Sequence, residues 1–136
     1  MDRRSLLKLS MLGVAGAALP AVVIAKNTGS MAGGLYYTKE NPGRWSKKVA
    51  GHMPAIEKLG RSKIKVTTGH EMNPYKHYIV KHVILDKDYQ FITEHMFDPT
   101  TDKLAVSTFD LGAYEGQVHV LSVCNKHDTW LNTTSV

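Results

Sequence analysis

Beyond residue 60 the chain is written in short runs that suit strands rather than helices. Lys63-Ile64-Lys65-Val66 alternates polar and apolar side chains with a period of two. Residues 78–85 and 89–97 are rich in β-branched and aromatic side chains, and Asp86-Lys87-Asp88 between them is a turn signal. Asp98-Pro99-Thr100-Thr101-Asp102 is a second turn. Residues 104–111 and 118–124 follow, separated by a loop that holds Gly112 and Gly116. Five or more short strands with turns at this spacing predict an all-β antiparallel sandwich. Upstream, Asn41-Pro42-Gly43 is a turn, and residues 44–50 predict one short helix. No internal repeat or low-complexity tract interrupts this plan.

The N-terminus is patterned differently. Arg3-Arg4-Ser5-Leu6-Leu7-Lys8 is a twin-arginine signature, and residues 11–24 form a mildly apolar stretch rich in Ala, Gly and Val. That stretch is shorter than the ~20 residues that cross a bilayer comfortably. Residues 1–25 therefore read as a twin-arginine export signal with cleavage after Ala25, or as a retained anchor if uncleaved. The predicted location is the periplasm or the outer face of the cytoplasmic membrane. A membrane partner arises only if the signal is retained. Residues 26–43 read as a linker or N-terminal arm, and residues 44–136 as the single folded domain.

Composition adds exclusions. Hydrophobic residues make up 43% and charged residues 21%, which suits a globular chain rather than a disordered one. The net charge is +5, and removing the signal lowers it to about +3. The basic residues are scattered, so no nucleic-acid partner is indicated.

The candidate chemistry lies in one cysteine and four histidines. Cys124 is the only cysteine in 136 residues, so it has no partner for an internal disulfide. In Cys124-Asn125-Lys126-His127 a thiolate and an imidazole three residues apart offer one metal two ligands from a single turn. His52, His70 and His77 stand upstream in loop-like contexts. Each has a bland reading: Cys124 continues the phase of Val118, Val120 and Ser122 as a core residue, and lone histidines are mostly core or surface. His82, His95 and His119 sit inside strand patterns and receive no ligand role. Nitrogen donors suit zinc, copper, iron or nickel, and one thiolate narrows this toward zinc or a redox metal. Closed zinc sites usually recruit paired cysteines, and blue copper uses a weak axial Met that the tail after Cys124 lacks. Iron with four imidazoles and a thiolate would keep one position open.

Taken in order, these residues resemble the iron domain of the superoxide reductases, the desulfoferrodoxin and neelaredoxin family. Gly51-His52-Met53-Pro54 is similar to that family's His-x-Pro loop. His70-Glu71-Met72 with Lys76-His77-Tyr78-Ile79 resembles its His-Pro-Met…His-Tyr-Ile segment. Cys124-Asn125-Lys126-His127-Asp128-Thr129-Trp130 resembles its Cys-Asn-x-His-Gly-x-Trp ending. The likeness runs from about Trp45 to Trp130. It implies an immunoglobulin-like β-sandwich and mononuclear non-haem iron with His52, His70, His77 and His127 equatorial and Cys124 axial. It also implies reduction of superoxide to hydrogen peroxide with an electron from an external donor, a cytochrome or rubredoxin-like protein. Backbone N–H groups near Asn125 and Lys126 would tune the sulfur. It admits a homo-oligomer, since members are commonly dimers or tetramers.

The departures are specific. Members usually carry Glu-Lys before the first histidine; Ala50 and Gly51 stand there. Lys48 is the first candidate to supply the missing positive charge, ahead of Lys47, Lys76 and Lys126, and Glu71, in place of a proline, to supply the missing carboxylate. The spacing from His70 to His77 is seven rather than six, and the family's small four-cysteine iron domain is absent. The rival expectation is a non-catalytic redox or structural subunit of a membrane-associated complex that keeps the iron-binding fold.

Overall fold

Seven antiparallel strands form two sheets in the computed structural model, which describes residues 31–136. In chain order they are β1 (Ala55–Gly60), β2 (Lys63–Thr68), β3 (Ile79–Leu85), β4 (Phe91–Met96), β5 (Ala105–Asp110), β6 (Gln117–Cys124) and β7 (Thr129–Ser135). One sheet has the order β1-β2-β5 and the other β4-β3-β6-β7. These orders are those of an immunoglobulin-like sandwich, with β1, β2 and β5 as A, B and E and the second sheet as C′, C, F and G. The export signal assigned to residues 1–25 lies outside the described residues. Among the described residues no helix is long and apolar enough to cross a membrane.

The period-two pattern explains the interior. Ile64, Val66 and Thr68 of β2 turn inward, as do Ala105, Ser107 and Phe109 of β5. Val118, Val120, Ser122 and Cys124 of β6 face them. Two apolar clusters result: one around Ile64, Val66, Ile84, Phe109, Val118 and Val120, the other around Met72, Ile79, Phe97, Ala105 and Cys124. Thr68, His82, Ser107 and Ser122, all buried polar residues, hydrogen-bond to one another in the interior. Thr68 Oγ1 meets His82 Nε2 at 2.9 Å and Ser122 Oγ at 2.8 Å, and His82 Nδ1 meets Ser107 Oγ at 2.7 Å. This satisfies groups whose burial would otherwise be costly.

Two strands were not marked by the patterning. β1 is a sheet edge whose residues are nearly all exposed, and β7 buries only Trp130 fully, so neither alternates in hydrophobicity. The helix expected over residues 44–50 is corrected to two separate turns. A 3-10 turn spans Gly43–Trp45, and a short α1 spans Val49–His52. They are separated because the Lys48 amide bonds back to the Trp45 carbonyl, closing a tight turn instead of starting an α ladder. In the N-terminal arm, Tyr37 bridges Trp130 of β7 in parallel, and its ring lies 5.6 Å from the Trp130 ring. The arm is thereby tied to the strand that follows the Cys124 turn.

Candidate metal centre

Three connections deliver the candidate ligands to one end of the sandwich. The β6–β7 hairpin turn carries Cys124 at the end of β6 and His127 three residues later. Asp128 closes that turn with φ +63°, and its carbonyl accepts the Cys124 amide at 3.0 Å. The β2–β3 connection carries His70 just beyond β2 and His77 just before β3. The last turn of α1 carries His52. The extra residue between His70 and His77 does not push either away. It is absorbed in a closed turn in which Asn73 and His77 exchange backbone bonds of 2.9 and 3.0 Å.

The ligand atoms of His52, His70, His77, Cys124 and His127 all lie within 4.8 Å of one another. His52 Nε2 is 3.1 Å from His127 Nδ1, which is 2.9 Å from His77 Nε2, which is 2.9 Å from His70 Nε2. Cys124 Sγ lies 3.1 Å from His77 Nε2, 3.8 Å from His127 Nδ1 and 3.9 Å from His70 Nε2.

The outer ring nitrogens decide what the inner ones offer. His52 Nδ1–H donates to the Lys48 carbonyl at 2.8 Å, and His70 Nδ1–H to the Glu71 carbonyl at 2.5 Å. His77 Nδ1–H donates to Glu71 Oε1 at 2.8 Å. Each partner is an acceptor only, so in the neutral ring the proton sits on Nδ1 and the lone pair on Nε2. Three lone pairs thus converge, with the Cys124 sulfur and His127 Nδ1 beside them. Protonation is opposed as well. Burial, opposed by the bond to Lys48, lowers the His52 pKa to about 4; burial and neighbouring rings also push down His70 and His127. Such a cluster is electrostatically complementary to a cation.

The spacing suits one ion with several ligands at right angles. An ion about 2.0–2.1 Å from each nitrogen places right-angle neighbours about 3.0 Å apart and tetrahedral neighbours about 3.3 Å apart. The observed 2.9–3.1 Å lies nearer the right-angle spacing, and five donors are one more than a closed four-coordinate site requires. Burial raises the Cys124 thiol pKa, while amides of Lys126 and His127 oppose the shift. A bound cation would deprotonate the thiol outright.

The surroundings hold these groups in place. Trp130, fully buried, donates its indole N–H to the His127 carbonyl at 2.8 Å, and its ring lies 5.7 Å from that of His52. Trp45 packs edge-on against His127 at 4.7 Å. Asp128 Oδ2 accepts from Trp45 Nε1 and Arg44 Nη2, both at 2.7 Å, and those bonds hold its carboxyl below the usual range. Asn125 exchanges bonds with the Tyr78 backbone and donates its side-chain amide to the Lys76 carbonyl, clipping the cysteine turn to the His77 loop. Trp45 and Asp128 had no assigned role, and Asn125 was assigned only a backbone one, because their side-chain partners are distant in sequence.

The two sequence-assigned charges fall in different places. Lys48 is exposed, and its charge is felt at His70 and His127, as is that of Lys126 at His127. Glu71 is not among the converging atoms; its carboxylate lies on the outer nitrogen of His77, which holds that carboxyl below its usual pKa. Of the amides expected to face the sulfur, Lys126 N–H does so at 3.4 Å, whereas Asn125 N–H bonds the Tyr78 carbonyl at 3.1 Å.

The fold has solved counterparts. A variant of the superoxide reductase (neelaredoxin) of Ignicoccus hospitalis matches with TM-score 0.61 and 22% identity, over 76% of this chain and 94% of that one. The superoxide reductase of Treponema pallidum matches with TM-score 0.51 and 27% identity, over 61% and 66%. The one-iron superoxide reductase of Giardia intestinalis matches with TM-score 0.52 and 20% identity, over 63% and 98%. No protein-family model and no curated protein sequence matches the chain. The family suggested by the ordered motifs is thus the one whose fold this chain shares.

Proposed function

We propose that this chain is a one-iron superoxide reductase, exported by the twin-arginine route to the periplasm. The observation that carries the reading is the convergence of four imidazole nitrogens and one cysteine sulfur on a fold shared with superoxide reductases. The donor set fits iron: His52, His70, His77 and His127 through the nitrogens described above, and Cys124 through sulfur. Bound iron supplies the one-electron couple, made electron-rich by the thiolate.

The chain's own residues account for the rest. Five protein donors would leave a six-coordinate ion one position for a small anion. Ala50 and Gly51, which precede His52, carry no group able to occupy that position. Lys48 and Lys126 provide positive charge beside the imidazoles and raise the encounter rate with superoxide. Trp45 covers one edge of His127, while Trp130 packs beside His52. In the overall conversion, superoxide takes one electron and two protons to become hydrogen peroxide. The electron comes from a separate donor, a cytochrome or rubredoxin-like protein.

The test is metal content, visible spectrum and superoxide consumption of anaerobically purified protein. About one iron per chain, a thiolate-to-iron charge-transfer band and superoxide reduction well above free iron are expected. Iron with the band but no reduction above free iron would replace this reading with that of a non-catalytic redox subunit. Zinc, copper or no metal would remove both. For the export route, Arg3→Lys with Arg4→Lys should retain the protein in the cytoplasm; unchanged periplasmic delivery would refute it.

A further inference from the structure

We infer that Glu71 is a positioning residue for the metal centre, holding His70 through its carbonyl and His77 through its carboxylate, and that its negative charge makes His77 the stronger donor. This rests on the iron reading above but concerns residues of this chain alone. The Glu71 carbonyl accepts from His70 Nδ1 at 2.5 Å, and Oε1 accepts from His77 Nδ1 at 2.8 Å. One residue therefore orients two rings that approach each other through Nε2 at 2.9 Å.

The closed turn between Asn73 and His77 brings His77 back beside a residue six positions earlier. A proline at position 71 would offer a carbonyl to His70 but no carboxylate to His77. Among the rings whose outer partner is defined, His52 and His70 donate to neutral carbonyls and only His77 donates to an anion. A carboxylate behind a ligand imidazole fixes its tautomer and raises its basicity. His77 Nε2 also approaches Cys124 Sγ more closely, at 3.1 Å, than His127 Nδ1 or His70 Nε2, at 3.8 and 3.9 Å. Thus the anion acts on the imidazole that neighbours the thiolate. Extra basicity there favours ferric over ferrous iron and slows metal loss.

The experiment compares wild type with Glu71→Gln, which keeps an acceptor of similar size without charge, and Glu71→Ala, which removes both. Glu57→Gln, on the edge strand β1, is the charge control. Three quantities are read: the charge-transfer band, the reduction potential, and the rate at which zinc-loaded protein gives up its metal to a chelator. The expected result is metal loss about 10–100-fold faster in Glu71→Ala, the usual cost of removing such a partner. The potential should rise in Glu71→Gln and further in Glu71→Ala, with Glu57→Gln unchanged. Each tenfold change in ferric-over-ferrous preference would appear as about 59 mV. A Glu71→Gln protein with the wild-type potential would overturn the inference, since a purely structural hydrogen bond would survive that change. Should wild type hold no iron and show no band, the reductase reading fails, while zinc release still tests the positioning role. If Glu71→Ala does not fold, Glu71→Gln alone decides.

Discussion

Two sets of histidines in this small sandwich sit in opposite chemical situations. His82 lies between the sheets with no exposed surface, and both its nitrogens are bonded to hydroxyls, Thr68 on one side and Ser107 on the other. It has no lone pair left for an ion. At the end of the sandwich, His52, His70 and His77 donate to carbonyl or carboxylate oxygens through their outer nitrogens. Their inner nitrogens point at one another and at Cys124. The contrast shows that burial alone does not identify a ligand histidine. The decisive observation is a nitrogen whose protein partner is another lone pair.

The sharpest way to break this contrast is Cys124→Ala. It should abolish the charge-transfer band and reduce superoxide turnover by more than about 100-fold, because loss of an outer partner alone costs 10–100-fold. Iron assay, spectrum and pulsed superoxide kinetics together check this, and a surviving band would mean that sulfur is not a ligand.

Acid separates the two sets next. Burial, with a smaller effect from His95, lowers the His82 pKa to about 3 from an ordinary value of 6.5. Below pH 6.5 the unfolded chain binds a proton at this position and the folded chain does not, so stability is lost as pH falls toward 3. The slope from one such group approaches 1.4 kcal/mol per pH unit, roughly, within that window. His52, lowered to about 4, adds a second slope in metal-free protein, ending nearer pH 4. Urea titrations across pH should show His82→Gln removing one proton's worth of slope. With metal bound, the His52 contribution should be replaced by metal release.

Smaller effects concern the rim. Lys48→Ala with Lys126→Ala should slow superoxide capture up to about tenfold at low salt, with the difference shrinking as salt is raised. An equal loss at high salt would mean that these lysines act other than by steering. Smaller still, Asp128→Asn should cost about 1 kcal/mol or less, because the Arg44 pair is largely exposed. Its diagnostic effect should be looser packing of Trp45 on His127, read as a change in tryptophan fluorescence.

Five of the seven strands were legible: β2 and β5, and in part β6, by inward faces that repeat every second residue, and β3 and β4 by β-branched and aromatic content between turn signals. β1 and β7 were not, because an exposed edge and a polar strand lack that signature. The site was legible as an ordered set: His52, His70, His77, Cys124 and His127 sit where the motifs place them, and the structure brings them together. Glu71 shows the limit. Its carboxylate was a candidate for the vacancy left by Ala50, yet it faces the outside of His77.

The amino-acid sequence by itself determined the strand rhythm, the single thiol, the candidate donors and the loss of flanking charge before His52. These are properties of residue identity and spacing, which local chemistry can read. The tertiary structure alone decided which nitrogen of each ring faces inward, which partner each outer nitrogen meets, and which carboxylate lies behind His77. Those depend on how a hairpin, a crossover loop and a short helix meet in space, and backbone partners such as the carbonyls of Lys48 and Glu71 leave no mark in residue type.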